Sequence, residues 1–336
     1  MSRPSDGRRR ITIVGAGVAG LVTAMECAAR GAEVEILERS EVLGAQACSW
    51  LAGGMLAPWC ERESAEVEVE RRGKLALAWW PRHVRETVQR GTLVVAPARD
   101  GSEIARFARR TQAHFPMDEP GIATLEPDLA GRFHQGLFFP REAHLDPRRA
   151  LQVLAGRLAD LGVAIRFGVE ARPHALDADA VIDCRGFAAR AELPDLRGVR
   201  GEAIVVHAPG VSLSRPVRFL HPRFPLYIVP RADHRFMIGA TMIESEHDGP
   251  PTLRSTMELI AAAFSLHPAF GESEILELEA GLRPAFPDNL PRLTVVGRVI
   301  SLNGLFRHGF LLSPALAQEA ADRILPVRTA HQGVFA

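Results

Sequence analysis

Residues 11–38 read ITIVGAGVAGLVTAMECAARGAEVEILE, and the parsing of this stretch decides the fold. Ile11 to Val14 is a short β-branched run, as a buried strand requires. Gly15, Gly17 and Gly20 follow as GAGVAG, and residues 18–30 form an alanine-rich helix that Gly31 ends. Val34 to Leu37 makes a second, parallel strand, and Glu38 closes it 23 positions after Gly15. Each part has a physical task in holding a dinucleotide. Gly15 permits the tight turn, Gly17 lets a pyrophosphate approach the backbone, and Gly20 lets helix and strand pack closely. Val18 and Ala19 open the helix, where free N–H groups and the positive dipole end attract phosphate. Glu38 is positioned to accept from ribose hydroxyls and would repel the 2′-phosphate of NADP. Strand, helix, second strand and terminal acid occur in the order that dinucleotide binding needs. A structural turn without ligand is the alternative, and the motif alone does not separate NAD from FAD.

The rest of the composition narrows the class. A chain of 336 residues holds about two domains, and 47% hydrophobic residues can bury a core. The formal net charge of zero lacks the basic surplus of a nucleic-acid binder. No apolar run approaches a membrane span, and the opening MSRPSDGRRR precedes no signal-peptide core. Cys27, Cys48, Cys60 and Cys184 show no CxxC or zinc-ligand spacing. A reduced, cytoplasmic protein with free thiols is expected, with a Cys48–Cys60 pair as the minority alternative. Glu244, Glu246 and Asp248 in ESEHDG read as a solvated turn, and no metal site is expected.

After the second strand, residues 44–61 read GAQACSWLAGGMLAPWCE, a loop suited to close approach of backbone to a flat ligand. Taken alone it could be an ordinary glycine-rich connector. Following a GxGxxG unit, it resembles the flavin-facing segment of the glycine oxidase branch, thiamine-pathway type, of the D-amino-acid oxidase family. Further segments match in the same order: HLDPRRALQVLAGRL (144–158), FGVEAR (167–172) as the strand along the adenosine, and AVIDCRG (180–186) near the cofactor. LYIVPR (226–231) and FMIGATMIESEHDG (236–249) are similar to the substrate-domain sheet, and AGLRP (280–284) and GLFRHGFLLSP (304–314) complete the set. The resemblance spans residues 10–325.

It implies FAD as cofactor and an α/β architecture, in which a Rossmann-like FAD-binding domain is interleaved with an α+β substrate domain built on a mixed or antiparallel sheet. The FAD domain is expected over residues 8–80, 140–200 and 285–330, and the substrate domain over 81–139 and 201–284. The first excursion reads as helix-rich and polar. The second carries the strands EAIVVHA, VRFL, LYIVP, FMIGAT and ILELEAG, with a helix over 257–270. A closing helix over 312–325 is expected to start at Ser313 and Pro314, with fraying after residue 327.

The resemblance also implies the site. Arg283 and Arg307 are placed near the flavin and the amino-acid carboxylate, which suits a planar guanidinium fork. Arg283 is the preferred carboxylate ligand, whereas Arg307 could hold loop carbonyls or the flavin edge. Tyr227, the only tyrosine, would donate to the same carboxylate; packing within the sheet is its alternative. Cofactor contacts are expected at Gly15, Gly17, Val18, Ala19, Gly20, Glu38, Arg39, Ser49, Gly53, Gly54, Met55, Val169, Gly186, Arg283, Arg307, His308, Gly309, Phe310 and Leu311. Met55 would lie over the ring or simply pack in the core, and His308 would line the site or serve the loop. Two departures from the pattern bear on the substrate. Pro225 stands where relatives can carry histidine, and Cys48 stands where a small residue is expected.

The expected activity is oxidative deamination of glycine or another small amino acid or amine, by hydride transfer to flavin. Dioxygen as acceptor would give hydrogen peroxide, with a thiamine-pathway role implied by kinship. The alternatives are an amine dehydrogenase using another electron acceptor, an FAD-dependent modification or assembly factor acting on a partner protein, and, more remotely, an NAD-dependent dehydrogenase. No nucleic acid or membrane partner is expected, and a homo-oligomer stays open.

Overall fold

The structure, a computed structural model, describes residues 8–221 and 223–325; the fraying expected after residue 327 lies outside them. Two large sheets organise the chain. The first has six strands in the spatial order Arg292–Val296, Val299–Asn303, Ala180–Asp183, Arg10–Val14, Glu33–Leu37, Ala164–Arg166. All neighbours are parallel except the hairpin 292–303 at one edge. Ile11 and Ile13 of the central strand are buried on the face that receives the helix Val18–Ala29. The helices Pro147–Asp160 and Gly309–Ile324 pack on that same helix through Leu151, Leu154, Leu158, Leu312 and Leu316. Asp146 caps the first of these, accepting from Arg148 N and Arg149 N ahead of Pro147.

The second sheet has eight strands in the order Glu274–Ala285, Arg197–His207, Arg235–Gly239, Leu226–Pro230, Val217–Phe219, Thr92–Val95, Gln135–Phe139, Phe115–Asp118. It is antiparallel except for the parallel pair Val217–Phe219 and Thr92–Val95, so it is the mixed sheet expected. The helix Leu253–Leu266 covers one face, seating Leu259, Ala262, Ala263 and Leu266 on Ile204, Ile228 and Ile238. The α/β class and the interleaving of the two halves are thus as read from the sequence. A third, two-strand pairing joins Met55–Leu56 to Ala143–His144.

Several local expectations are corrected. The first excursion carries the helices Gly101–Arg110 and Glu119–Leu125, but it also carries strands that the sequence reading did not mark. Thr92–Val95 is buried at every position, and Gln135–Phe139 pairs with it, so three of its strands extend the large sheet. FGVEAR is not a strand. The strand ends at Arg166, and the amides of Gly168 and Val169 instead donate to Ser40 O and Glu38 O at 3.0 and 2.9 Å. The closing helix starts at Gly309, with His308 as its N-cap, so Ser313 and Pro314 lie within it. The segment 44–61 is more ordered than a loop, with a 3₁₀ turn at Cys48–Leu51 and a short helix at Pro58–Glu61.

Candidate active site

The glycine turn is built by steric exclusion at two glycines and by open space at the third. Gly15 has φ +106°, and a Cβ there would lie 2.7 Å from Cys184 O at the end of the neighbouring strand. A Cβ on Gly20 would overlap the Gly15 carbonyl itself. At Gly17 the nearest atom would be Ser49 Oγ at 3.5 Å, an ordinary contact, so the start of the helix faces free volume. Leu21 N is the first amide of this helix to find an acceptor in the turn, at Gly17 O, which leaves the preceding donors for other partners. Ser49 Oγ takes one of them, Val18 N, at 3.2 Å. Glu38 spans the turn, with Oε2 accepting from Ala16 N at 2.7 Å and Oε1 from Ser40 N at 2.9 Å. Each oxygen keeps lone-pair capacity for a ribose hydroxyl.

A second helix start lies alongside. A Cβ on Gly309 would meet Val18 Cγ1 at 3.3 Å, so the first turns of both helices open into the same region. Leu312 N bonds to His308 O, and the amides of Gly309, Phe310 and Leu311 precede it. The loop entering this helix is held in place from both sides. Asn303 Nδ2 donates to Gly186 O at 2.9 Å, and its Oδ1 accepts from Gly304 N at 2.8 Å. Phe306 N donates to Pro284 O at 2.9 Å, with Phe306 at φ +50° immediately before Arg307. A left-handed non-glycine residue carries strain that the surrounding bonds must hold.

Arg283 and Tyr227 meet on the large sheet. Arg283 lies opposite Val199, and its guanidinium covers Gly201, where a Cβ would collide with it. Its Nη1 donates to Thr241 O at 3.0 Å. Burial pulls its pKa below the ordinary value, nearby Tyr227 and Cys48 act in the opposite sense, and Arg307 adds repulsion. Among the described residues no carboxylate pairs with Arg283. The Tyr227 ring rests on two glycines, so that a Cβ would approach Cε2 to 2.7 Å at Gly53 and 3.5 Å at Gly239. The Gly53–Gly54 loop is held by Arg231, which donates to Gly53 O at 2.9 Å and to Leu145 O. Burial lowers Arg231 to about 10, with Asp146 opposing.

Arg307 meets an acid. Its Nη2 lies 2.8 Å from Glu61 Oε2 and 2.6 Å from Ser64 Oγ, while its buried Nε has no partner among the described residues. Glu61 Oε1 accepts from Arg218 Nη1 at 2.9 Å, and His308 Nδ1 stands 3.6 Å from Oε2. Burial alone would raise the Glu61 pKa, but Arg307, Arg218 and His308 together bring it down to about 2. Burial lowers His308 to about 4 against the pull of Glu61, so its imidazole is neutral near pH 7.

The remaining candidates are spread more widely. Gly186, at φ +59°, stands where the AVID strand ends, and an added Cβ there would meet only Pro284 Cγ at 3.9 Å. Met55 is half-buried beside the cluster containing Trp59 and Phe107. The side chains of Phe310 and Leu311 point into the core, against Trp80 and Gly73, so only their backbone is available to a ligand at the helix start. Arg39 is exposed and Val169 is 37% exposed, at the outer end of the second strand. All four cysteines are free thiols. The acids of the ESEHDG turn serve ion pairs, Glu244 with Arg197 and Glu246 with Arg190. Glu61, Arg218 and Arg231 were not singled out from sequence. For Glu61 a signal existed, since it is the only charged residue in 44–61. For Arg231, in LYIVPR, the spacing gives no hint of which carbonyls it reaches.

These features fit an extended dinucleotide: a glycine cradle that a Cβ would fill, an acid beside it, and a second helix start next to a half-buried cation. Residues 10–323 match the family profile described as DAO, FAD dependent oxidoreductase. The chain is 56% identical to a Rhizobium etli protein named as a thiamine biosynthesis oxidoreductase, ThiO, over 94% of this chain and 96% of that one. It is 29% identical to a glycine oxidase of Pseudomonas aeruginosa, over 93% of this chain and 94% of that one. In fold it is similar to the crystal structure of glycine oxidase from Geobacillus kaustophilus, with TM-score 0.79 and 24% identity over 94% of each chain. No helix among the described residues is long and apolar enough to cross a membrane. The cofactor is therefore FAD, and the chain belongs to the DAO family of FAD-dependent oxidoreductases.

Proposed function

We propose that this protein oxidises the Cα–N bond of glycine or another small amino acid, in a step that serves thiamine biosynthesis, with dioxygen as the electron acceptor and hydrogen peroxide as by-product. The observation that carries this reading is Arg283, a half-buried cation with no carboxylate partner among the described residues, set beside Tyr227. In this reading residues 8–80, 140–200 and 285–330 form the cofactor half, and 81–139 and 201–284 the substrate half.

Bound FAD would supply a two-electron acceptor for the Cα hydride. Gly15, Gly17, Gly20, Glu38 and Ser49 would hold its nucleotide end, and Gly53, Gly54, Gly186 and the 307–311 turn would hold its ring end. The chain's own residues then have positioning work. Arg283 forks onto the substrate carboxylate, which replaces the missing counter-ion and fixes Cα. Tyr227 donates a further hydrogen bond to that carboxylate. The first turn of the helix Gly309–Ile324 directs its positive dipole end toward developing negative charge. His308, neutral near pH 7, adds no further positive charge there. The substrate enters with its amine deprotonated, so no protein base at Cα is needed. The imine product is hydrolysed by water to a 2-oxo acid and ammonia.

The deciding experiment is a peroxide assay on yellow purified protein with glycine, sarcosine and D-alanine, alongside anaerobic bleaching of the flavin band. Peroxide with one of these amines is expected. Bleaching without peroxide would move the acceptor to a carrier, and no bleaching with any amine would overturn the reading.

A further inference from the structure

We propose that Glu61 sets how many acid groups the substrate can carry, by holding Arg307 in an internal ion pair so that only Arg283 is left to receive a carboxylate. This rests on the amino-acid oxidase reading above and goes beyond it to the selection of substrate.

Two half-buried arginines, Arg283 and Arg307, sit within electrostatic reach of each other. Without a counter-ion, both would offer a guanidinium to the substrate. A pair of that kind selects for two acid groups, since leaving either cation desolvated and unpaired is costly. Glu61 breaks the symmetry. Its Oε2 lies 2.8 Å from Arg307, and Ser64 Oγ takes the same nitrogen at 2.6 Å. Among the described residues no carboxylate reaches Arg283, whose hydrogen bond goes to the neutral carbonyl of Thr241.

Glu61 is itself well held. Arg218 binds its other oxygen at 2.9 Å. The short helix Pro58–Glu61 that carries it is fastened from the far end by Glu142 Oε1, which accepts from Trp59 N at 3.1 Å and Cys60 N at 2.7 Å. The carboxylate stays ionised through the physiological range because Arg307 and Arg218 outweigh its burial. A substrate with a second acid group would therefore have to displace a resident carboxylate that is ion-paired with Arg307 and hydrogen-bonded to Arg218. Like-charge repulsion from Glu61 adds to that barrier, and rejection of a competitor by a built-in repulsive charge is a recognised route to specificity.

Removing the charge frees Arg307. The Glu61→Gln variant keeps the shape and leaves Arg307 available for a second carboxylate. The experiment uses the flavin-loaded protein and two readouts. The first is kcat/KM for glycine against iminodiacetate and D-aspartate. The second is binding of acetate and malonate followed by perturbation of the flavin spectrum, which needs no turnover. In the variant, the preference for the diacids over the single acids is expected to rise about tenfold or more in both readouts. The gain is expected to vanish when Arg307→Gln is added. A ratio that stays unchanged or falls overturns the proposal. If Glu61→Gln does not fold, Glu61→Asp, too short to span both arginines, must show part of the same gain, and its absence overturns the proposal equally. Wild-type protein that neither turns over an amino acid nor responds to acetate would sink the functional reading instead, so the two failures are distinct.

Discussion

The indole N–H of Trp80 donates to the carbonyl of Phe310 at 2.7 Å, and this bond makes an interior proline tolerable. Pro314 lies within the helix Gly309–Ile324, four residues after Phe310, and has no N–H to close the ladder onto that carbonyl. Trp80, fully buried, supplies the donor from another helix. The Trp80→Phe variant is expected to lose about 3 kcal/mol, combining an unsatisfied buried carbonyl with lost volume. Adding Pro314→Ala restores a backbone donor and should recover about 1 kcal/mol of that. Urea denaturation followed by circular dichroism reads the cycle, and strict additivity of the two changes would remove the substitution argument.

Two glycines of the nucleotide turn are expected to fail differently. At Gly20 a Cβ overlaps the Gly15 carbonyl, so Gly20→Ala should disturb the strand–helix contact and lower soluble yield. At Gly17 the nearest atom would be 3.5 Å away, so Gly17→Ala should fold with nearly normal stability yet release FAD. Thermal melting compared with the flavin-to-protein absorbance ratio separates the two. A fully flavinated Gly17→Ala protein would contradict the pyrophosphate assignment.

Arg283→Ala is expected to keep its flavin and lose most turnover. The site would give up a charge-assisted pair at a cation with no carboxylate partner among the described residues, on the order of 3 kcal/mol or about 100-fold in kcat/KM. Arg283→Lys should recover only part, because an ammonium cannot reproduce the planar fork. Retention of wild-type kinetics in Arg283→Ala would remove this residue from carboxylate recognition.

What the sequence made legible divides by range of interaction. The 11–38 unit was readable because its meaning is local: glycine positions, strand period and a terminal acid are all set within one βαβ step. Arg283 and Arg307 were reached through the resemblance of AGLRP and GLFRHGFLLSP to family motifs, and the strands from EAIVVHA to ILELEAG were readable as alternating runs. Partners were not readable where they depend on distant packing. Glu61 reaches Arg307 across 246 positions of chain, and Trp80 reaches Phe310 across 230. Pro314 misled the placement of the helix start for that reason, since proline at a first turn is the local rule and a distant indole overrides it. FGVEAR has strand-like composition, yet its glycine takes φ +70° and turns the chain out of the sheet.

The buried acid Glu142 gives a pH dependence opposite in sign to that of Glu61. Glu142 is fully inaccessible, and burial raises its carboxyl from 4.5 to about 8 despite the Cys60 amide and Thr92. A folded-state pKa above the unfolded one means the stability is intact below about 4.5 and is eroded as pH climbs through about 8. For Glu61, lowered to about 2, stability is intact above 4.5 and is lost as pH falls toward 2. Glu142→Gln keeps an oxygen for the amides of Trp59 and Cys60 and cannot ionise. It should match the wild type near pH 4 and exceed it by on the order of 3 kcal/mol at pH 9. Chemical denaturation at a series of pH values reads the difference, which must grow across that window. A constant difference would mean that Glu142 stays ionised in the folded protein, and that the start of the Pro58–Glu61 helix carries a charge.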